Sequence, residues 1–220
     1  MKRTKFKEPP ISKTDLIVLN QKEQEMIEFA TKHLHSDDLH GIGHVKRVLQ
    51  IAMEINEQEQ GSVAFLKCLV WFHDIGRIIE HERNEHHAKL SVELAAPLLR
   101  SWALSEEGVE LITREILAHS FSFGKAPTTL EGTILRDADQ LDAMGAVGVF
   151  RTCAYQALRE QGLKEVLAHL DEKLLNLKSR LVTKSAQKLG KVRHDFSVAF
   201  KSQLLTELGE IAEKSRDMKR

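Results

Sequence analysis

The segment VAFLKCLVWFHDIG, residues 63–76, contains the longest apolar run of the chain and ends in a histidine, an aspartate, an isoleucine and a glycine. Because Val63 to Phe72 is apolar almost all round, this run predicts a buried helix rather than a surface helix. The Asp74 carboxylate at its end is costly to bury unless something compensates the charge. His73 offers a second ligand atom, and Gly76 lets the helix end or bend there. On its own, the His-Asp pair is better explained as a helix cap.

Helical periodicity continues on both sides of this segment, and no segment shows the alternation that is typical of strands. We therefore predict an all-α fold. Residues 1–12 are expected to be a flexible tail. Residues 13–220 are expected to form a single all-α domain, with a motif core at about 35–155 and the C-terminal helices packed on it. Further helices are predicted at 13–35, from near His44, and at 88–102, 109–117, 134–154, 155–180 and 192–216.

The charges of the chain balance, since 32 basic residues oppose 32 acidic ones. A protein that grips bulk nucleic acid is usually basic, so that partner is not expected. Cys68 and Cys153 lie far apart in apolar contexts and are expected to be reduced, as in an intracellular protein. No secretory signal is visible, and no apolar run approaches the ~20 residues of a membrane span. We expect a cytoplasmic protein without a membrane partner.

Eleven histidines in 220 residues are many, and metal binding, proton transfer or chance can explain them. His44 opens a predicted helix behind two glycines, well before His73. Asp139 lies in the string DADQLDAMG, residues 137–145, on a later helix rich in small residues. With Asp74 these residues give two imidazoles and two carboxylates, a set that suits Mn, Fe, Co, Ni or Mg better than a closed structural zinc site. Four protein ligands leave about two octahedral positions open.

Five strings, in their order along the chain, resemble the HD-domain metal-dependent phosphohydrolase superfamily. They are HGIGHVKRV at 40–48, LVWFHDIG at 69–76, HAKLS at 87–91, ILAHSF at 116–121 and DADQLDAMGA at 137–146. The last of them is the most specific. The resemblance covers about residues 35–155, and the C-terminal helices more loosely. The nearest branch is that of small bacterial-type HD hydrolases with pyrophosphohydrolase activity toward nucleoside triphosphates.

This resemblance implies an HD-domain helical bundle with one divalent metal ion, held by His44, His73, Asp74 and Asp139. Manganese is expected first, with Mg, Co, Ni, Fe or Zn as alternatives. The implied activity is hydrolysis of a phosphate ester or phosphoanhydride of a nucleotide, or of another small phosphorylated metabolite, by a metal-activated water. Asp74 would both ligate the metal and orient the water. A monomer or a homodimer is expected.

Four further residues are expected to bind the substrate. Arg47 lies near the ligand face of its helix and would stabilise charge on phosphoryl oxygens, so it is also a catalytic candidate. His87 and His119 lie in family strings and are expected to contact the substrate, although His119 is equally explained as a core histidine. Asp142, one helical turn after the last metal ligand, would either orient a ligand or form a salt bridge.

One departure from the family pattern concerns the general base. Some HD nucleotide hydrolases have acidic residues three and four positions after the aspartate of the pair, where this chain has Arg77 and Ile78. A base from that position is therefore absent, and nothing in the sequence fixes the direction of Glu82 or Glu85. Arg77 and Lys46 are lesser candidates for contacting phosphate.

Two other functions stay open at this point. One is an HD-type di-iron oxygenase, for which His87 and His119 would supply the extra ligands of a second metal. The other is a non-catalytic nucleotide sensor, against which the complete ligand set argues. A second His-Asp pair, His194-Asp195, lies in an amphipathic helix without matching ligands and is expected to be a surface feature.

Overall fold

The structure, a computed structural model, describes residues 11–120 and 123–217. Regular structure within these ranges is helical and includes no strand, which confirms the all-α class. The α-helices are α1 (Lys13–Gln21), α2 (Glu23–Lys32), α3 (Ile42–Glu59), α4 (Val63–Phe72), α5 (Glu80–Arg83), α6 (His87–Ser101), α7 (Glu106–His119), α8 (Leu130–Asp142), α9 (Gly145–Leu158), α10 (Leu163–Glu172) and α11 (Lys184–Asp217). Segments of 3₁₀ helix follow α4 at Ile75–Ile79 and α10 at Leu174–Arg180.

The chain divides into two compact units. The first consists of Met1–Asp139 with Val182–Ala186, and the second of Gln140–Leu181 with Gln187–Arg220. The single domain expected over 13–220 stays a prediction. Most of the predicted tail, residues 1–10, lies outside the described residues. At its end, the Ser12 hydroxyl accepts a hydrogen bond from the Asp15 amide at 3.0 Å and caps α1.

Helix α4 is the centre of the first unit. It packs against α1, α2, α3 and α7, and Phe65 and Phe72 are among its fully buried side chains. The buried helix predicted from the apolar run is therefore confirmed. Its first turn is fixed by Ser62, whose hydroxyl accepts from the Phe65 amide and whose own amide donates to the Glu131 carboxylate at 2.7 Å. These hydrogen bonds fix the start of α4 and thereby help to position His73 and Asp74, which follow its last residue.

Gly76 lets α6 approach the end of α4 closely. A Cβ at this position would lie 2.4 Å from both the His87 carbonyl oxygen and the Ser91 amide nitrogen. The Gly76 amide also donates to the Ser91 hydroxyl at 2.9 Å. The chain does not simply end its helix here, since it continues as a 3₁₀ segment from Ile75. The glycine is thus needed for packing between segments more than for a bend.

Several predicted helices have the wrong extent. The helix predicted over 134–154 is divided into α8 and α9, because Gly145 adopts a φ of +68°, in the left-handed region that favours glycine. The helix predicted over 155–180 is replaced by the end of α9, by α10 and by a 3₁₀ segment, and Glu160 between them has a φ of +57°. The segment 13–35 contains two helices, α1 and α2, that meet at Lys22.

The second unit has a core of its own. Val149 of α9 packs there with Val166 and Leu170 of α10 and with Leu174 of the following 3₁₀ segment. Cys153 lies beside this core as a free thiol, and Cys68 of the first unit is also free. None of the helices in the described ranges is both long enough and apolar enough to cross a bilayer.

Candidate metal centre

Side chains with metal-ligating chemistry converge at the ends of helices in the first unit. They come from the first turns of α3 and α6, from the ends of α4 and α7, and from α8. These side chains are His44, His73, Asp74, His87, His119 and Asp139, each with a nitrogen or oxygen atom 3.4 or 3.5 Å from an atom of another of the six. All are buried except Asp139, whose side chain is 31% exposed. One carboxylate at the edge of an otherwise buried group gives the site an opening to solvent.

The four ligands expected from the sequence lie together. The His44 Nε2 atom is 3.4 Å from His73 Nε2, 3.4 Å from Asp139 Oδ1 and 3.6 Å from Asp74 Oδ2. The His73 Nε2 atom is 3.8 Å from Asp74 Oδ2. With metal–ligand bonds of about 2.0–2.2 Å, octahedral ligand atoms lie about 3 Å apart when adjacent and about 4.3 Å apart when opposite. These separations are therefore compatible with one shared ion.

The His73 ring is fixed in the tautomer that a metal ligand needs. Its Nδ1 atom lies 2.7 Å from the Val70 carbonyl oxygen, which can only accept, so Nδ1 carries the proton. The Nε2 lone pair is thereby directed at the other ligands. Burial lowers the pKa of His73 to about 4, although Asp74 opposes the shift. The ring is neutral near pH 7 and able to donate its lone pair.

The two carboxylates are ionised. Burial alone would raise the pKa of Asp74, but the Arg77 guanidinium and the neighbouring His73 bring it well below its usual value. Burial likewise opposes ionisation of Asp139, and the hydrogen bond with His44 reverses the effect and lowers its pKa. Two negative charges thus persist in a mostly buried site, as a cation-binding site requires.

A second group of possible ligands shares Asp74. Its Oδ1 atom lies 3.5 Å from His87 Nε2 and 3.5 Å from His119 Nε2. The His119 Nδ1 atom donates to the Ile116 carbonyl at 2.5 Å, and the His87 Nδ1 atom donates to Glu80 Oε1 at 3.0 Å. Both Nε2 lone pairs therefore face the carboxylate oxygen. This oxygen is buried and makes no hydrogen bond.

The residues of the site fit a divalent metal ion. Lone pairs of imidazole and carboxylate that face one another repel unless positive charge lies between them. The Nε2 atom of His73, left unprotonated by its tautomer, lies 3.4 Å from His44 Nε2 and 3.8 Å from Asp74 Oδ2, an arrangement that a cation between these atoms would stabilise. The residues that would hold the ion are His44, His73, Asp74 and Asp139. Their two nitrogens and two oxygens suit Mn and its neighbours in the first transition row.

Arg77, a lesser candidate from the sequence, and Glu80, which the sequence analysis did not identify, both belong to this site. Arg77 Nε donates to Asp74 Oδ2 at 2.5 Å, and its Nη2 lies 3.4 Å from His87 Nε2. Glu80 contacts Arg77 Nη1 at 3.4 Å and accepts from His87. Residues three apart in a 3₁₀ helix lie above one another, so the 3₁₀ segment aligns Asp74, Arg77 and Glu80. Their spacing of three was the available signal.

The other candidate residues have partners elsewhere. Arg47 donates to the Asp38 carbonyl oxygen at 2.7 Å, in the segment before α3. Asp142 belongs to the second unit and accepts from Arg151 at 2.7 Å, which is the salt bridge considered as its alternative role. His87 and His119 are brought beside Asp74. His86 is half-buried and stacks on His87 with ring centroids 4.3 Å apart.

Of the remaining acidic candidates and the second His-Asp pair, Glu82 and Asp195 are exposed, whereas Glu85 and His194 are partly buried. Glu82 is exposed, and Glu85 pairs with Lys89. Asp195 is exposed and pairs with Lys191 at 2.8 Å, as expected for a surface feature. A base at the positions of Glu82 and Glu85 is therefore not part of this group of side chains.

The family assignment rests on a match of residues 41–144 to the model of the HD domain family. Residues 41–144 of the chain are thus matched as an HD domain. The uncharacterized protein YpgQ of Bacillus subtilis (strain 168) is 29% identical over 193 residues, which cover 83% of this chain and 92% of YpgQ.

Solved structures support the same assignment. The crystal structure of Bacillus subtilis YpgQ in complex with ADP superposes with a TM-score of 0.67 at 25% identity, covering 88% of this chain and 96% of YpgQ. A "predicted HD superfamily hydrolase" from an uncultured Thermotogales bacterium gives a TM-score of 0.64 at 27% identity, covering 85% of this chain and 93% of that protein. The resemblance stated from the sequence strings is confirmed, and it supports a hydrolase of the HD family. All six converging side chains lie inside the matched HD domain.

Proposed function

We propose that this protein is a metal-dependent phosphohydrolase that acts on a phosphate ester or phosphoanhydride of a nucleotide, or of another small phosphorylated metabolite. The observation that carries the proposal is the convergence of His44, His73, Asp74 and Asp139, with 3.4–3.8 Å between the paired ligand atoms. The HD domain matched at residues 41–144 supports hydrolysis as the reaction.

A divalent ion at these ligands, manganese before Mg, Co, Ni, Fe or Zn, supplies Lewis-acid chemistry that polarises phosphoryl oxygens and acidifies water. The protein contributes ligands whose orientation is set before binding. The His73 tautomer is fixed by the Val70 carbonyl, and the partly exposed Asp139 lies at the side from which water and substrate enter.

Asp74 is the residue best placed to orient the attacking water. Its Oδ2 atom faces His44 and His73, while its Oδ1 atom is buried without a hydrogen bond. An ionised carboxylate with one oxygen unpartnered can accept a hydrogen bond from a water molecule and hold it in one direction. We infer that this oxygen serves in place of the acidic residues that some relatives carry three and four positions later.

A nucleotide is the substrate class we favour. YpgQ, similar over most of its length, has a crystal structure in complex with ADP. Arg77 brings a guanidinium beside Asp74, and such a group binds phosphate oxygens through several N–H donors. Within this class we propose pyrophosphohydrolase activity toward nucleoside triphosphates, with a nucleoside monophosphate and pyrophosphate as products.

The test starts from chelated protein to which Mn, Mg, Co, Ni, Fe or Zn is added back. Nucleoside mono-, di- and triphosphates and simple phosphate esters are then screened, with phosphate and pyrophosphate measured separately. We expect release of either phosphate or pyrophosphate when Mn is added. The variant D74A should lose bound metal and lower kcat/KM by at least ~10²-fold. The control is D195A, which removes the exposed aspartate of the other His-Asp pair and should change neither property.

The proposal is wrong if no metal yields a phosphate product, or if D74A keeps both its metal and its activity. Binding of nucleotides with no turnover under any metal would indicate a sensor instead.

The group formed by Asp74, His87 and His119 favours one competing function, a two-iron oxygenase. That enzyme needs a second metal at these three ligands and consumes oxygen. Anaerobic loading with Fe followed by measurement of oxygen uptake separates the two functions. Hydrolysis requires no oxygen, and turnover with redox-inert Mg or Zn would therefore indicate the hydrolase.

A further inference from the structure

The two oxygens of Asp74 face two different surroundings. The Oδ2 atom faces His44 and His73, where the proposed metal ion would bind. The Oδ1 atom faces His87 and His119 at 3.5 Å each. By donor type alone, this second group of three could hold another divalent ion. Arg77 lies beside this second group and determines whether an ion can bind there.

Arg77 engages one of the ligand atoms that a second ion would need. Its Nη2 lies 3.4 Å from the Nε2 atom of His87, while its Nε donates at 2.5 Å to Asp74 Oδ2, the other oxygen of the shared carboxylate. Since the His87 Nδ1 proton is directed at Glu80, the Nε2 lone pair is the one that faces the guanidinium. An arginine N–H therefore points at the lone pair that the ion would use.

The guanidinium is also held in this place. Its Nη1 contacts Glu80 Oε2 at 3.4 Å, so each of its three nitrogens has a partner in the site. The side chain is only 25% exposed, and the backbone of the 3₁₀ segment sets its direction. Arginine stays charged at any physiological pH, so this positive charge cannot be removed by deprotonation.

Electrostatic repulsion between the Arg77 guanidinium and a second metal ion also disfavours binding of that ion. An ion bound to His87 Nε2 at about 2.1 Å would lie at most about 5.5 Å from Arg77 Nη2, given the 3.4 Å between the two nitrogens. A dication and a guanidinium at that distance in a mostly buried site repel each other. The first ion would lie as near to Arg77, but its ligands include two carboxylates, Asp74 and Asp139, which offset the repulsion, whereas the second group has only the shared Asp74.

We propose that the Arg77 guanidinium takes the place of a second metal ion, so that the site binds a single divalent ion and receives its other positive charge from Arg77. The proposal rests on the metal site described under the proposed function. Arg77 then presents its N–H groups to phosphoryl oxygens where a two-metal enzyme would use a second cation. A guanidinium cannot change oxidation state, so this arrangement also disfavours the two-iron oxygenase.

The test is metal stoichiometry. Wild type and the variants R77M and R77Q are chelated, equilibrated with excess Mn²⁺, desalted and analysed for Mn per chain, and titrated in parallel by calorimetry. Wild type should bind one ion per chain, and both variants two. In electron paramagnetic resonance, the variants should show the broadened signal of two coupled ions. The double variant R77M/H119A should return to one ion, because it lacks a ligand of the second position.

The matched control is R83M. Arg83 lies six residues later, is 48% exposed and pairs with Glu93 on the surface, so this variant should bind one ion like wild type. Two ions in wild type overturn the proposal, and so does a single ion in whichever of R77M and R77Q keeps the wild-type circular dichroism spectrum. No ion in wild type overturns the metal site itself and the proposed function with it.

Discussion

Replacing Gly76 with alanine tests how closely α6 must approach the end of α4. The added Cβ would meet two backbone atoms, the His87 oxygen and the Ser91 nitrogen, each at 2.4 Å, whereas ordinary contacts begin near 3.4 Å. The shortfall is therefore about 1 Å on both sides. Because the obstructing atoms belong to the backbone, no side-chain rotation relieves the contact, and α6 or the 3₁₀ segment must move.

Overpacking of this kind costs about 1–3 kcal/mol of unfolding free energy, and the backbone clash places G76A at the upper end, at about 3 kcal/mol. In a chain of 220 residues this corresponds to a fall in Tm of about 6–12 °C. The loss of the hydrogen bond from the Gly76 amide to Ser91 acts in the same direction.

The assay is thermal unfolding followed by circular dichroism in excess chelator, so that metal binding does not mask the effect. The control is G209A, since a Cβ at Gly209 meets nothing within 4 Å and alanine is the better helix former. G209A should raise stability by about 0.5–1 kcal/mol. If G76A melts within about 2 °C of wild type, the close approach does not constrain the site as we infer.

Three further predictions concern pH, the buried Asp137 and the partly buried Glu80. Burial lowers the pKa values of His73 and His87 to about 4, so below pH ~6.5 the unfolded chain takes up protons that the native state does not. The Tm measured in chelator should therefore be steady above pH ~7 and fall between pH ~6.5 and 4. A Tm that rises over that interval would contradict these pKa shifts. The variant D137A should lose about 3 kcal/mol of unfolding free energy and ~6–12 °C in Tm, because Asp137 accepts hydrogen bonds from the Val182 amide and from the Thr183 amide and hydroxyl. The control D195A changes an exposed aspartate and should melt like wild type. The variant E80Q should lower kcat/KM about 10-fold and change Tm little, because it weakens the contacts of Glu80 with His87 and Arg77. The control E82Q should match wild type in kinetic assays.

The buried helix and the four expected ligands were predictable because each left a local signal. The run from Val63 to Phe72 is apolar except for Lys67, a pattern typical of a central, buried helix. His44, His73, Asp74 and Asp139 each lie inside a string of neighbours that recurs in the HD-domain family. The structure brings these four together, and their role as ligands stays a proposal.

The surroundings of Asp74 were not predictable, because they depend on the type of helix that follows it. In a 3₁₀ helix residues three apart lie above one another, and here Arg77 contacts both Asp74 and Glu80. The spacing of three alone does not fix these contacts, because residues three apart are also neighbours in an α-helix. The 3₁₀ conformation accompanies the packing of α6 against Gly76, a contact between residues distant in sequence. The break between α8 and α9 was missed because small residues were interpreted as a close helix contact.

The hydrogen bonds from His73 to Val70 and from His119 to Ile116 limit which residues can occupy these two positions. Each accepting carbonyl belongs to the last turn of a helix, where the backbone leaves oxygens without an amide partner. An imidazole satisfies that oxygen with one nitrogen and keeps the other for the site. Aspartate or glutamate, having no proton to donate when ionised, would leave the carbonyl unsatisfied even if the metal accepted the exchange. At these two helix ends, the demand of the peptide backbone therefore favours histidine over a carboxylate independently of which ion is bound.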